Sequence, residues 1–348
     1  MPARHIINTE NMSEQILLSH GSGGEMSHQL IRDLFVRYFD NELLSGLSDS
    51  SVLGVCPGDL VFTTDSYVVD PLFFPGGNIG KLAVCGTVND LAVSGADPVY
   101  LSAGFIIEEG MEMDSLEKIV KSMADEAHNA GVQIVTGDTK VVNKGKADQL
   151  FINTSGVGFL RRGSFDINSG NEIKAGDKII INGYTGDHGI AVLAARENLN
   201  IHSQIQSDCA SLNKLISKII RNIDGIHFMR DLTRGGLATV LCEISEDKFY
   251  GIEIEENHIP VREEVRGVCE MLGMEPIYIA NEGKFITVVD PEEADKLLSL
   301  MHSEKLGQHA AIIGEVVEEH PGRVIMNTEI GGSRIIDMLT GEQLPRIC

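Results

Sequence analysis

The apolar positions of this chain fall into two series separated by a polar stretch. After an aperiodic, polar leader over residues 1–15, an apolar run at Leu60–Thr64 predicts a strand, small residues from Gly80 to Ser94 predict a helix, and Val99–Ile107 predicts a second strand. Apolar residues at Leu116, Ile119, Val120, Met123 and Ala127 recur at helical spacing. Asp114 as N-cap and Glu117 three residues on predict the start of that helix, and Gly131 predicts its end. Strands at Val132–Thr136 and Leu150–Phe159 complete the first series.

Residues 161–170, rich in Gly, Ser and Asn, predict a connection, and a second series follows it. Strands are predicted at Lys178–Asn182, Gly251–Ile254, Pro276–Ile279, Phe285–Val289 and Ala311–Val316. Helices are predicted at Gly189–Glu197, Leu212–Asn222, Gly235–Ser245, Val261–Leu272 and Pro291–His302. The expected organisation is a leader (1–15), an N-terminal domain (16–165), a C-terminal α/β domain (166–336) and a mobile tail (337–348). The fold class is α+β with a sandwich-like α/β arrangement.

Composition narrows the class. Hydrophobic residues make up 43% of the chain and aromatics 5%, so aliphatic side chains fill the core beside 37 glycines, as in a glycine-rich α/β enzyme. A formal charge of -23 repels a polyanion, which excludes nucleic acid as the expected partner. No run of about 18 uncharged apolar residues is present and the start has no apolar signal core, so no membrane partner is expected. The six cysteines form no close pair, which predicts neither a zinc knuckle nor a disulfide framework and points to a reducing, cytoplasmic setting.

Several residues carry candidate chemistry. His20-Gly21-Ser22-Gly23-Gly24 precedes a helical pattern, an arrangement that turns bare backbone N–H groups toward an anion. Aspartates stand at the ends of apolar strands or inside an apolar helix, at Asp65, Asp90, Asp138 and Asp231. Isolated carboxylates there are costly unless paired or bound to metal, and oxygen ligands of this kind suit magnesium on phosphates. Lys140 and Glu282 are polar groups placed for a cleft, and His188 opens a helix, where it either caps or serves catalysis. Cys348 ends the chain on a Pro-Arg-Ile-Cys tail; five extended residues reach about 17 Å, enough for a carrier arm.

The ordered set Gly21-Ser22-Gly23-Gly24, Thr63-Thr64-Asp65-Ser66, Val88-Asn89-Asp90-Leu91, Gly137-Asp138-Thr139-Lys140, Arg230 to Gly236 and Pro345-Arg346-Ile347-Cys348 resembles the HypE family of hydrogenase maturation proteins. That family belongs to the aminoimidazole ribonucleotide synthetase-like (PurM-like) superfamily. The glycine loop and the aspartates mark the superfamily, whereas the Cys-terminal tail and the Asp70-Pro71-Leu72-Phe73-Phe74-Pro75-Gly76-Gly77 segment mark the family. Many superfamily members carry two adjacent acids where this chain has Asp49-Ser50, which makes Asp49 the weaker metal candidate.

The resemblance implies a two-domain fold whose N-terminal domains pair into a β-barrel in a homodimer. It implies that Cys348 receives a carbamoyl group, which ATP and Mg2+ convert to a thiocyanate that supplies cyanide to the iron of nickel–iron hydrogenase. Asp65, Asp90, Asp138, Asp231 and Asp49 are then the metal candidates, Gly21 to Gly24 surround the phosphates, and Lys81 and Asn89 contact the nucleotide. Cys348, Lys140, Glu282 and His188 are the catalytic candidates, with Glu282 accepting an amide proton and Lys140 stabilising charge on oxygen. The implied partners are the carbamoyltransferase HypF and the HypC–HypD iron scaffold. Selenide phosphorylation, the activity of related synthetases, is disfavoured because residues 20–26 contain no cysteine.

Overall fold

The computed structural model describes residues 15–47, 50–54, 58–160, 167–197, 205–339, 341, 344 and 346–348. Most of the leader, Asp49 and part of the 161–170 connection therefore lie outside the described residues.

The chain enters through the glycine loop into α1 (Glu25–Leu30), a wider π-type turn at Ile31–Val36, α2 (Arg37–Phe39) and α3 (Glu42–Ser45). Then come β1 (Leu60–Tyr67), a small hairpin of β2 (Phe73–Phe74) and β3 (Gly77–Asn78), α4 (Ile79–Val93), β4 (Asp97–Glu108), α5 (Met113–Ala130), β5 (Gln133–Val142) and β6 (Leu150–Phe159). The first sheet has the order β1-β6-β4-β5, so β1 and β5 are its two edges. Leu101, Ala103, Phe105 and Ile107 alternate inward toward α4 and α5 with Leu150 and Ile152 of β6. On the opposite face Leu60, Phe62 and Ile106 stay exposed, at 63%, 64% and 44%.

α4 is apolar on almost every side because it packs on the first sheet and also against the second half of the chain. The Asn78 side chain caps it, accepting from the backbone N–H groups of Gly80 and Lys81.

The second half runs β7 (Lys178–Ile181), α6 (Asp187–Arg196), α7 (Asn213–Asn222), β8 (Ile226–Asp231), α8 (Gly236–Ser245), β9 (Gly251–Glu255), α9 (Glu263–Leu272), β10 (Phe285–Val289), α10 (Ala294–His302), β11 (Ala311–Val317), β12 (Val324–Asn327) and β13 (Ser333–Ile336). These strands form one sheet, ordered β13-β12-β9-β11-β7-β10-β8, in which only β12 and β9 pair in parallel. Ile180, Met229, Phe285 and Val289 face α7 and α10, while Ile179, Phe228, Ile286 and Val288 face α8. Covered on both faces, β10 is buried at every position, which is why its sequence is an unbroken apolar run.

Several expectations are corrected. The segment at Pro276–Tyr278 is a 3-10 turn rather than a strand, as suits a proline that has no N–H for a ladder. α5 starts at Met113 after Glu112, so Asp114 is not the N-cap but sits in the first turn, where its charge favours the positive helix end. β5 continues to Val142, which puts Asp138 and Lys140 inside the strand, and Asp65 likewise lies within β1. The hairpin and strands β8, β12 and β13 were not anticipated, being short or interrupted by polar residues. Among the described residues no helix is long and apolar enough to cross a membrane.

Candidate active site

Asp65, Asp90 and Asp231 meet where three elements converge. Asp65 points from the edge strand β1 toward α4, Asp90 lies in the last turn of α4, and Asp231 ends β8, the edge strand of the second sheet. Together with Thr63, Arg230 and Arg234 they line a cavity of 480 Å3, within the range of small-molecule clefts, about 300–1,000 Å3. Thr63 Oγ1 donates to Asp90 Oδ2 at 2.9 Å, and Tyr67 Oη donates to Asp65 Oδ2 at 3.2 Å. Tyr67 fits there because residue 86 is glycine: a Cβ at Gly86 would lie 2.3 Å from Tyr67 Oη.

Burial and like charge act together on these acids. Burial raises Asp65, a shift that the Tyr67 hydrogen bond opposes. Asp90 is pushed up to about 6 by burial and then by Asp65, and Asp231 to about 8 by burial and then by Asp90. Of the three, Asp231 is the one raised above neutral pH, and oxygen donors of this kind suit Mg2+.

Glu282 lies on the loop before β10 and is 3% exposed. Burial first, then Asp231, Asp208 and Asp65, raise its carboxyl well above the ordinary range, and its Oε1 has no hydrogen-bond partner. Its backbone is fixed from two sides. The Glu282 N–H donates to Asp208 Oδ1 at 3.0 Å, and its carbonyl accepts from Asn89 Nδ2 at 3.3 Å. Asp208 also accepts from Lys284 Nζ at 2.9 Å; burial pushes its carboxyl up, but the Lys284 charge and the Glu282 N–H bond help hold it below the usual value.

This arrangement corrects the role expected of Asn89. Its side chain donates to the carbonyls of Ala210 and Glu282 and accepts from Leu212 N–H at 2.8 Å. With both amide hydrogens committed and 1% exposure, it clasps α4 to the second half instead of facing a nucleotide. Lys81 sits nine residues before Asp90 on the same helix, about 13 Å along the axis, with Nζ on the Gly76 carbonyl at 3.2 Å.

The glycine loop, Asp138 and Lys140 are elsewhere. Gly21 and Gly23 line a second cavity with His20, Ser27, Asp138 and Lys140 at the β5 edge, opposite the edge that carries Asp65. Gly21 is pressed against β5, where a Cβ would lie 2.4 Å from Val141 N. Ser22 Oγ turns back to the Ser19 carbonyl at 3.0 Å, and Gly24 precedes the first turn of α1. Lys140 Nζ pairs with Asp138 at 2.8 Å, and that contact holds the Asp138 carboxyl below its ordinary value. Within one chain Lys140 and Glu282 are therefore not brought together.

The tail is docked against the body. Val68 N–H donates to the Cys348 terminal oxygen at 3.1 Å, Asp70 N–H donates to the Arg346 carbonyl at 3.1 Å, and Val69 bridges Ile347 in antiparallel fashion. Ile347 is buried, and Cys348 lies partly buried against the same core. The cavity beside Cys348, 530 Å3, shares Arg234 and Thr239 with the carboxylate cavity, so the thiol and the acids stand on two sides of one wall.

His188 belongs to this docking. Its Nε2 meets the Ile347 carbonyl at 2.7 Å and its Nδ1 meets Ser207 Oγ at 2.8 Å. Burial lowers its pKa, so the ring is neutral, and the carbonyl partner assigns the proton to Nε2. It touches the tail backbone one residue before Cys348, so in this arrangement it holds the tail in place. Asp208, Lys284, Arg196, Asp70 and Asp148 were not singled out from sequence. Only the Asp70 segment, already noticed as distinctive, offered a signal.

Comparison with known proteins fits this geometry. Residues 48–160 match the N-terminal domain, and residues 174–327 the C-terminal domain, of the AIR synthase related proteins. A carbamoyl dehydratase HypE from Rhodobacter capsulatus is 50% identical over 340 residues, covering 96% of this chain and 98% of that protein. A crystal structure of hydrogenase maturation protein HypE in complex with ATP superposes with a TM-score of 0.90 at 49% identity, over 95% of this chain and 99% of that one. A structure of a HypE–HypF complex matches at a TM-score of 0.77 and 49% identity, over 89% and 99% of the two chains. With a two-sheet body, an acid cavity beside a docked C-terminal cysteine and near-full-length similarity, the chain belongs to the AIR synthase related proteins and, among them, to the HypE carbamoyl dehydratases.

Proposed function

We propose that this protein uses ATP to remove water from an S-carbamoyl group on its own Cys348, leaving a thiocyanate that supplies cyanide to the iron of nickel–iron hydrogenase. The observation that carries this reading is the docked tail, which sets Cys348 across a shared wall from Asp65, Asp90 and Asp231. A carboxamide oxygen is a poor leaving group; transfer of the γ-phosphoryl of ATP to it lets it depart as phosphate while the N–H protons are lost. Positioning and electrostatics then supply most of the rate.

Asp65, Asp90 and Asp231 are the residues that would hold Mg2+, which offsets charge on the phosphates when bound. Glu282 accepts an amide proton: its raised pKa makes the carboxylate a stronger base than an exposed one, and its unpartnered Oε1 has capacity for that bond. Arg234, on the wall common to both cavities, is a cation available to the phosphates.

Lys140, Asp138 and the glycine loop act from a second copy of the chain. They occupy the opposite sheet edge, while the uncovered sheet face carrying Leu60, Phe62 and Ile106 is suited to pairing with the same face of a partner. In that homodimer each copy closes the other's carboxylate cavity, with Lys140 stabilising charge on the carboxamide oxygen. HypF, which a relative binds in a solved complex, loads the thiol, and the HypC–HypD scaffold receives the cyanide. The cytoplasmic setting expected from the cysteine usage belongs to the same reading.

The test is the mass of the C-terminal peptide after incubation with the loading enzyme, carbamoyl phosphate and ATP, and again after a second step with ATP alone. Gain of a carbamoyl group followed by loss of one water is expected. A carbamoyl adduct that never loses water removes the dehydratase reading.

A further inference from the structure

The docked tail is held as a ligand is held, by contacts that read its last three residues one at a time. The backbone N–H groups of Val68 and Asp70 grip it as an added strand through the Cys348 terminal oxygen and the Arg346 carbonyl, both at 3.1 Å. That same Arg346 carbonyl accepts a second bond from Arg196 Nη2 at 2.6 Å, and Arg196 Nε is fixed on the Asp70 carbonyl at 2.7 Å. The Ile347 carbonyl accepts a hydrogen bond from His188 Nε2, and the Ile347 side chain enters the core at 6% exposure. The Arg346 guanidinium lies between two acids, 2.9 Å from Asp148 Oδ2 and 3.7 Å from Asp70 Oδ2. Each of these partners belongs to the body of the protein, and none of the contacts needs the tail to be continuous with it.

We propose that the groove bounded by Val68–Asp70, Asp148, His188 and Arg196 is a binding site for any peptide ending in Arg-Ile-Cys with a free carboxylate, and that the protein dehydrates an S-carbamoyl cysteine presented there in trans. The inference rests on the function proposed above. Covalent attachment of the tail adds effective concentration, of millimolar order for a short connection, and Leu344, buried in the same core, adds to the grip on the last three residues. In the trans reaction the peptide S–C(=O)NH2 and ATP give S–C≡N, ADP and phosphate. The β,γ-phosphoanhydride and the carboxamide C–O bonds break, the carboxamide oxygen leaves within phosphate, and the two N–H protons pass to the protein and to water.

The experiment uses the full-length chain with Arg346→Glu and Ile347→Asp, substitutions that expel its own tail and empty the groove. The probe is the synthetic peptide Leu-Pro-Arg-Ile-Cys, labelled at its N-terminus for anisotropy and S-carbamoylated for turnover with ATP and Mg2+. Saturable binding and loss of one water from the peptide are expected. Amidating its C-terminus, or replacing its arginine by alanine, should each weaken binding about tenfold, because each removes a charge-assisted contact.

In parallel, wild-type protein carrying S-carbamoyl Cys348 should dehydrate more slowly when unmodified peptide at about 10 mM, above the tether's effective concentration, competes for the groove. This arm needs no substitution and decides the question if the double variant does not fold. If wild-type protein dehydrates its own tail but the peptide neither binds, reacts nor competes, the trans site is overturned and the proposed function stands. If wild-type protein fails to dehydrate its own tail, the function falls and the inference with it.

Discussion

The two edges of the four-stranded sheet carry acids of opposite character. At the β1 edge Asp65 is turned toward Asp90 and Asp231; burial raises all three, and neighbouring acids raise Asp90 and Asp231 further. At the β5 edge Asp138 is exposed and already paired with Lys140, which lowers it. The same residue type thus has two states: one set is buried, with Arg230 and Arg234 only partly offsetting its charge, and the other is exposed and paired with a lysine of its own strand.

The largest effect expected from breaking this contrast is at Glu282, the buried acid before β10 that Asp231 and Asp65 also raise. Glu282→Gln should slow single-turnover dehydration about 10²–10⁴-fold while ATP still binds, as read by mass of the C-terminal peptide. A rate within tenfold of wild type would remove Glu282 as the proton acceptor.

The paired titration of Asp90 and Asp231 gives the next test. Their folded pKa values, about 6 and about 8, exceed the ordinary carboxylate value of 3.8, so the folded state binds more protons than the unfolded state between them. Metal-free protein should therefore lose stability as pH rises from about 4 to 8 and level off above that. Thermal melts in chelator should fall by at least about 3 °C across this window, and less in Asp231→Asn or with Mg2+ added. A flat profile without metal would contradict the charge arrangement.

Gly86→Ala should cost about 1–3 kcal/mol in denaturant unfolding, since its methyl group collides with Tyr67 Oη beside Asp65. In a Tyr67→Phe background the cost should shrink; an unchanged cost would place the strain elsewhere. The smallest effect on stability belongs to the exposed edge. Lys140→Ala should shift unfolding by less than about 0.5 kcal/mol, yet abolish turnover. Mixing inactive Lys140→Ala with inactive Asp231→Asn copies should restore activity by pairing one intact set from each copy. Absence of such rescue would sink the shared site.

Much of this was legible in the chain. The apolar period of α5, the unbroken run of β10 and the acids at Asp65, Asp90 and Asp231 are local patterns, so the chain itself displays them. Strand β8 was hidden because His227 and Arg230 break its apolar run, although the sheet needs only alternate positions inward. Asp208 and Lys284 left no local mark, because their meaning lies in a contact across 76 residues. The contact of His188 was hidden for the same reason: a histidine at a helix start looks like a cap or a catalyst, and only the folded chain puts the Ile347 carbonyl at its Nε2.

By itself the sequence determined the two α/β halves, the set of buried acids and the terminal thiol, since periodicity and residue chemistry follow from neighbours along the chain. Tertiary structure alone decided that Asp138 and Lys140 stand across the sheet from Asp65. It also decided that Asn89 is a clasp, and that the tail lies in a groove that reads arginine, isoleucine and the chain end. Strand order, burial and long-range hydrogen bonds fix these outcomes, because they depend on which distant segments share an edge or a cavity.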